Sequence, residues 1–373
     1  MSTQPAKAVT IQDLARLAGV TKSAVSVVLN HRDVGIRVGP EQRAKILALA
    51  KDLNYTPRAS ACALSTGKTY HIGFLLSSKI YLGLANATYA TILAGVQQTC
   101  QERGYNCTVS TYDLSTLKNF VMPKKLRQRS VDGVIVSGVV KPQVIDLFRR
   151  QDIPFVMASA TPLRPQPDFI VVRRDIATNW CNTFTLLAAQ GHRRIVIPGY
   201  SKRREIDFLQ EGLARFQAGH PNLRLALEFP LSKETEEDRY DEAFAASQAW
   251  AQAAPATRPT ALVSHDQWCV GFLAGVQHHG LACPRDISIL ASNDHVMCKW
   301  LTPALAAIDL DTFGCGRAAA EILIDLVEKK ILPAEAGRRA AAQWKPGTLI
   351  QRESVGPAPG YNPAVIRGHH PRS

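Results

Sequence analysis

A chain of 373 residues with 46% hydrophobic and 20% charged residues is long enough to bury more than one core. Its 44 Lys and Arg against 31 Asp and Glu give a net charge of +13, which suggests a polyanionic partner without separating nucleic acid from an acidic membrane surface. No apolar run approaches the roughly 20 residues that span a bilayer, and Met1–Val9 lacks a basic-then-apolar leader, so a soluble cytoplasmic protein is expected.

The charge is concentrated at the front: up to Tyr70 there are ten basic and four acidic residues. Periodicity there is helical. Ile11, Leu14, Ala15 and Ala18 share one face, and Gly19-Val20-Thr21 breaks that helix. Val25, Val28 and Leu29 line a second helix ending near Asn30. A third starts after Gly39-Pro40, with Ile46, Leu47, Ala50 and Leu53 on its apolar face. Three short helices with a Gly-centred turn between the first two predict a helix-turn-helix domain over residues 1–56. Lys22, Ser23, Ser26 and Asn30 are left on the side of the second helix that does not pack, where they can meet base edges and phosphates in a major groove. An ordinary surface helix has the same periodicity; the local charge favours the groove.

Residues 57–69 form a separate segment. Arg58–Leu64 is built of small residues and closed by Ser65-Thr66-Gly67, as in a linker or a short helix that forms only in context. From His71 strands alternate with helices. His71–Leu76, Cys107–Thr111, Val131–Ser137 and Phe155–Ser159 are strand-like, with helices around Ala90–Arg103 and Gln143–Gln151. A second series has strands at Arg194–Ile197, Arg224–Phe229, Ala261–Ser264 and Ile287–Ala291, and helices near Glu205–Ala218, Asp238–Ala253 and Trp268–His279. The expected fold class is therefore α/β: two doubly wound lobes of parallel strands over residues 70–355, with a ligand cleft beyond the strand ends. Ser77, Ser137 and Ser159 each lie at such an end and are candidate cleft donors. Residues 356–373 are Pro/Gly-rich and basic, a tail expected to be disordered.

Other patterns carry no chemistry. The eight cysteines show no CxxC pair and read as reduced, mostly buried thiols. Gly67-Lys68-Thr69 resembles the end of a phosphate loop, but the leading glycine position is Cys62 and no strand precedes it. Gly314-Cys315-Gly316-Arg317-Ala318-Ala319 fits a dinucleotide fingerprint, yet no second strand with an acidic end follows, so the glycines are expected to begin a helix. His265, Cys269, His295 and Cys298 lack the spacing of a structural zinc site, and packed residues are the expectation. No metal and no cofactor is predicted.

The stretch Val9–Asn30, with Asn54-Tyr55-Thr56-Pro57-Arg58 and Ala61-Cys62-Ala63-Leu64, strongly resembles the lactose-repressor (LacI/GalR) family of bacterial transcription regulators. The resemblance continues through Gly191-His192-Arg193-Arg194-Ile195 and Asp286-Ile287-Ser288-Ile289 and ends at Arg352-Glu353-Ser354, about Val9 to Val355 in all. It implies lobes like those of periplasmic binding proteins, a second helix in the major groove and a hinge helix at the minor groove. On that basis the DNA-contacting residues are Thr10, Thr21, Lys22, Ser23, Ser26, Val27, Asn30, Tyr55, Arg58, Ala61 and Leu64, with Leu64 as an apolar wedge. Val27 stands where the family commonly has Arg, so a thymine methyl replaces guanine as the suited contact. The loop His31–Val38 is a few residues longer than the commonest form.

The resemblance also sets the effector site at Ser77, Ser137, Ser159, Arg203, Leu209, His265, Asp266 and Asn293. Leu209, Ser159, His265 and Asn293 replace the Arg, Asp, Asn and Asp of sugar-binding members. Losing those hydroxyl binders disfavours a neutral sugar, while Arg174, Arg203 and Arg204 suit an anion. The expected protein is a homodimeric repressor on operator double-stranded DNA, controlled by a small molecule between the lobes. The alternative is a cytosolic binding protein of the same lobes without operator function. An enzyme is not expected, because no nucleophile–base pair or cofactor fingerprint occurs. The tail has no apolar heptads, so a coiled-coil tetramer is not expected either.

Overall fold

The computed structural model describes residues 9–29, 36–55, 67–80, 82–118, 124–162, 169–198, 203–229 and 239–362, with the side chains of 124–125, 160–162, 203–206 and 239 left aside. The chain divides into two units, 1–71 with 125–132, and 72–124 with 133–373. Residues 125–132 were not expected in the first. Asp132 explains their place: its carboxylate accepts from Thr69 N–H (2.7 Å), Thr69 Oγ1 (2.8 Å) and Tyr70 N–H (2.8 Å).

Unit 1 holds α1 (Ile11–Ala18), α2 (Lys22–Leu29) and α3 (Pro40–Asp52). Thr10 starts α1 as a capping box with Asp13, and Gly19 ends it at φ 71°, a left-handed conformation that a residue with a Cβ resists. Leu14, Ala15, Ala18, Val25, Val28, Ile46 and Ala50 form the core, which Ile11, Leu29, Leu53 and Tyr55 flank. Leu47 is exposed, and Leu49 packs on the core instead, correcting the expected third-helix face.

Unit 2 contains two sheets. The first has the order β2 (Asn106–Tyr112), β1 (His71–Ser77), β3 (Gly133–Val140), β4 (Phe155–Pro162), β5 (Val171–Val172). β1, β3, β4 and β5 pair in parallel. The second has the order β11 (Thr348–Ile350), β10 (Ala306–Asp309), β9 (Ser288–Ala291), β8 (Ala261–Ser264), β6 (Arg194–Val196), β7 (Ala226–Glu228), parallel except for β11. The intervening helices are α4 (Ala87–Glu102), α5 (Pro142–Arg150), α6 (Ile176–Ala189), α7 (Arg203–Gly219), α8 (Arg239–Gln252), α9 (Asp266–His278), α10 (Thr312–Val327) and α11 (Pro333–Ala341).

The buried parallel strands read as near-continuous apolar runs, as strands covered on both faces do. β5, β10, β11, α6 and α11 were not singled out in the sequence. α10 and α11 pack on the first sheet, through Cys315, Ala319, Leu323, Ala336 and Ala340. The chain therefore crosses between lobes three times, after β5, after β10 and before β11. The glycines of the dinucleotide-like stretch do lie in the helix α10. They permit a close helix crossing, since a Cβ on Gly316 would stand 2.0 Å from Ile92 O and one on Gly95 2.2 Å from Phe313 O.

The tail expected to be disordered from residue 356 is folded as far as residue 362. Ala358 N–H donates to Gln190 O (2.8 Å), and the Tyr361 ring covers Gly191 so closely that a Cβ there would meet it at 2.2 Å. Residues 363–373 lie outside the described residues.

Candidate functional sites

In unit 1 the candidate DNA-contacting residues are placed unevenly. Lys22 and Ser23 are exposed at the start of α2, and Ser26 is half-buried one turn later. Thr21 Oγ1 accepts Ala24 N–H (3.2 Å), which holds the helix start. Thr10 is exposed, but its hydroxyl is engaged with Asp13. Tyr55 packs on the three-helix core. Val27 is only 4% exposed and so is not displayed beside Lys22 and Ser23, a correction to the DNA contact that the family resemblance implied for it. Burial suits its side chain, which has no polar atom to keep wet. Asn30, Arg58, Ala61, Leu64 and most of the loop His31–Val38 lie outside the described residues.

In unit 2 the second set of candidate residues lies at or near the strand ends of the two sheets. Ser77 and Ser137 are fully buried, so neither faces an open cleft. Ser137 Oγ donates to Ala158 O (2.5 Å), and Ser77 Oγ accepts Lys79 N–H (3.4 Å), so both polar groups are spent on strand ends. Ser159 differs. The register of β3 against β4 shifts there, Ser159 takes φ 47°, and its side chain is half-exposed. Leu209 is 1% exposed and packs with Trp180, Phe184 and Phe216 in the second-lobe core, so it is no cleft residue. The side chains of Arg203 and Arg204 lie outside the described residues.

The remaining candidates converge. His265 caps α9 and lies 3.3 Å from Ser292 Oγ. Asp266 is buried, and its Oδ2 accepts from His295 Nδ1 (2.8 Å). His295 Nε2 lies 3.3 Å from Thr88 Oγ1 in the first turn of α4. With Nδ1 donating to a carboxylate, the neutral ring accepts at Nε2 from the threonine hydroxyl. Asn293, half-exposed, precedes Asp294, which receives both guanidinium nitrogens of Arg352 at 2.7 Å. That pair is half-buried and Arg352 also donates to Leu305 O (2.7 Å), so the Asn293–His295 turn is held in place. Asp294 raises the Arg352 pKa by that hydrogen bond. Thr88, His295 and Arg352 were not among the expected site residues. The sequence had grouped His295 with His265, Cys269 and Cys298 only as an expected packed residue.

Arg174 is not free to receive an anion. Nε donates to Leu310 O (2.7 Å), Nη1 to Gln343 O (3.2 Å), and Nη2 to Asp311 O (3.0 Å) and to the Asp311 carboxylate. It ties all three lobe crossings together. The expected packing of Cys269 and Cys298 is seen: both thiols are buried, against Ser264 O and Leu290 O and against Asn293 O. Burial raises both thiol pKa values, that of Cys298 to about 12. Among the described residues no His/Cys/Asp/Glu group is arranged to hold a metal. A cavity of about 320 Å³ between α4, α10 and α11 lies away from the strand ends. Its arginines, Arg103 and Arg339, are paired with Asp325, Glu328 and Glu335, so it offers no open charge.

The effector-domain motifs of the family resemblance are engaged in packing and hydrogen bonds. His192 sits between Thr260 Oγ1 and Gly356 O, each at 3.0 Å, and Ser354 Oγ accepts Ala306 N–H (2.8 Å) while donating to Ile289 O (2.6 Å). Asp286 accepts Ala282 N–H (2.7 Å).

Two family models match: bacterial regulatory proteins, lacI family, at residues 10–58, and periplasmic binding protein-like domain at residues 184–355. A ribose operon repressor of Haemophilus influenzae is 28% identical over 349 residues, 93% of this chain and 98% of that one. The HTH-type transcriptional repressor PurR of Vibrio vulnificus is 26% identical over 329 residues, 86% of this chain and 92% of that one. Among solved structures, the lac repressor dimer bound to operator and the anti-inducer ONPF aligns with a TM-score of 0.70 at 19% identity, covering 94% of this chain and all of that one. The transcriptional regulator CelR–cellobiose complex aligns at 0.62 and 22% identity, covering 93% of this chain and all of that one. At these identities the structures show the fold. No helix among the described residues is long and apolar enough to cross a membrane.

Proposed function

The chain belongs to the lacI family of bacterial regulatory proteins, and from that premise we propose a cytoplasmic, homodimeric repressor whose operator affinity is set by a small molecule held between the lobes of unit 2. It is a DNA-binding transcriptional repressor and not an enzyme. The observation that carries the reading is the helix-turn-helix core with Lys22 and Ser23 exposed at the start of its second helix. Thr10, Thr21, Ser26, Asn30 and Tyr55 complete the proposed major-groove surface. Arg58, Ala61 and Leu64 form the minor-groove hinge, Leu64 as the wedge.

The effector contacts that the geometry supports are Ser159, His265, Asp266 and Asn293, joined by Thr88 and His295. A ligand seated there touches both lobes and so favours one angle between them, which biases whether two hinges can pack on DNA. Loss of the family's charged hydroxyl binders favours an anionic effector over a neutral sugar.

The test is selection of bound fragments from total genomic DNA at about 0.1 M salt, where non-specific binding is already weakened. A repressor of this kind returns a short two-fold-symmetric site. Recovery of fragments without a shared motif would favour a binding protein with no operator function.

A further inference from the structure

Arg173 follows β5 and stands where the first lobe, the second lobe and a lobe crossing meet. Its guanidinium carbon is 4.0 Å from the centre of the Trp344 ring and 5.6 Å from that of Phe208 on α7. Trp344 is itself anchored, its Nε1–H donating to Val171 O (3.0 Å), and it remains 43% exposed. Arg173 is partly buried, yet among the described residues it makes no hydrogen bond and no ion pair.

The nearest acids do not supply one. Asp175 accepts from Thr178 N–H (3.0 Å), Thr178 Oγ1 (2.7 Å) and Arg215 (3.2 Å), and Glu211 accepts from Arg215 (2.5 Å). Arg174 on the other side is committed to the lobe crossings. Burial lowers the Arg173 pKa, and the fields of Asp175 and Glu211 only oppose that shift. A desolvated guanidinium with its hydrogen-bonding edge unused is costly unless something else completes it.

We propose that Arg173, seated on Trp344 and Phe208, anchors a carboxylate of the effector. The assignment rests on the reading of unit 2 as an effector-binding domain. A guanidinium lying on an aromatic ring keeps its N–H edge in the plane of the fork, where two carboxylate oxygens match it bidentately. The rings exclude water on the faces and strengthen those bonds. Small sugar acids and hydroxy acids meet this requirement; their neutral parents do not.

The probes are D-gluconate and D-galacturonate, compared with D-glucose, D-galactose and inorganic phosphate at equal ionic strength, by calorimetric titration of the full chain. At least one acid should bind, neither sugar should match it, and Arg173→Gln should weaken binding on the order of 10- to 100-fold, the range for a lost charge-assisted pair. Arg173→Lys, which keeps charge but not the fork, should retain only part of the affinity, and Trp344→Leu should weaken binding with Arg173 intact. Thermal melting of each unliganded variant checks folding. The proposal is overturned if neither acid binds, if wild type and Arg173→Gln bind alike, or if phosphate alone binds. If neither protein selects any DNA motif, the repressor reading fails while the titration still judges Arg173.

Discussion

His295 Nε2 lies 3.3 Å from Thr88 Oγ1, and this single hydrogen bond links the end of a second-lobe strand to the first turn of a first-lobe helix. Because Asp266 fixes the imidazole from behind, the ring does not swing to follow Thr88 if the lobes part. Thr88→Val keeps the shape and removes the hydroxyl. A net hydrogen bond is worth about 0.5–1.5 kcal/mol, so the balance between closed and open lobes should shift several-fold toward open. Small-angle scattering of the unliganded protein should show a larger radius; an unchanged profile would make the contact incidental.

Leu209 tests the core assignment. Leu209→Ala should cost about 2–5 kcal/mol in denaturant unfolding, and Leu209→Arg more, because the charge would enter a core built around Trp180 and Phe184. A stable Leu209→Arg protein would instead place this side chain in the cleft.

The α4–α10 crossing depends on two glycines. Gly316→Ala must push a Cβ into the Ile92 carbonyl, so the helices have to separate, with a cost of about 1–3 kcal/mol. Gly337→Ala, in α11 with nothing within 4 Å of the added atom, should be neutral or stabilising. Thermal melts of the pair in parallel distinguish close packing from a general intolerance of alanine.

His192 makes stability depend on pH. Burial lowers its pKa from 6.5, and the Gly356 carbonyl only partly opposes this. The unfolded chain therefore takes up the proton first as pH falls. Stability from the neutral ring is intact above about pH 6.5 and is lost progressively below it. His192→Gln should lower the melting temperature at neutral pH yet flatten its fall toward about pH 5. Equal pH slopes in both proteins would show that other groups control acid sensitivity.

Trp300 is 81% exposed, beside Val296 at 60% and Met297 at 37%, an apolar patch on one short turn. An exposed apolar patch is the kind of surface that self-association covers, and a second copy of the proposed homodimer is expected to pack there. Trp300→Asp should yield a folded monomer by sedimentation. A dimer of unchanged strength would move the interface elsewhere.

Much of the fold was legible because its signals are local. The turn at Gly19 and the apolar strand runs each depend on a few neighbouring residues. β5 and β11, of two and three residues, carry too little pattern to read, and α10 joins the first lobe although it follows second-lobe strands. The site was less legible. Serines at strand ends look like donors until their partners are known, and Ser137 donates to a backbone carbonyl. Arg173 and Arg174 are adjacent and chemically identical. One binds the crossings and the other stacks on Trp344, a difference set by residues far away in sequence.

The most direct test compares affinity for the selected operator and for random duplex DNA across salt concentrations, in wild type and Lys22→Ala. The account predicts a steep linear fall of log K with log salt for both DNAs, with specific binding tighter by at least about 10³-fold. Lys22→Ala should weaken binding to both and reduce the slope by about one. A flat salt dependence, or equal affinity for operator and random DNA, would contradict sequence-specific DNA binding by the helix-turn-helix domain.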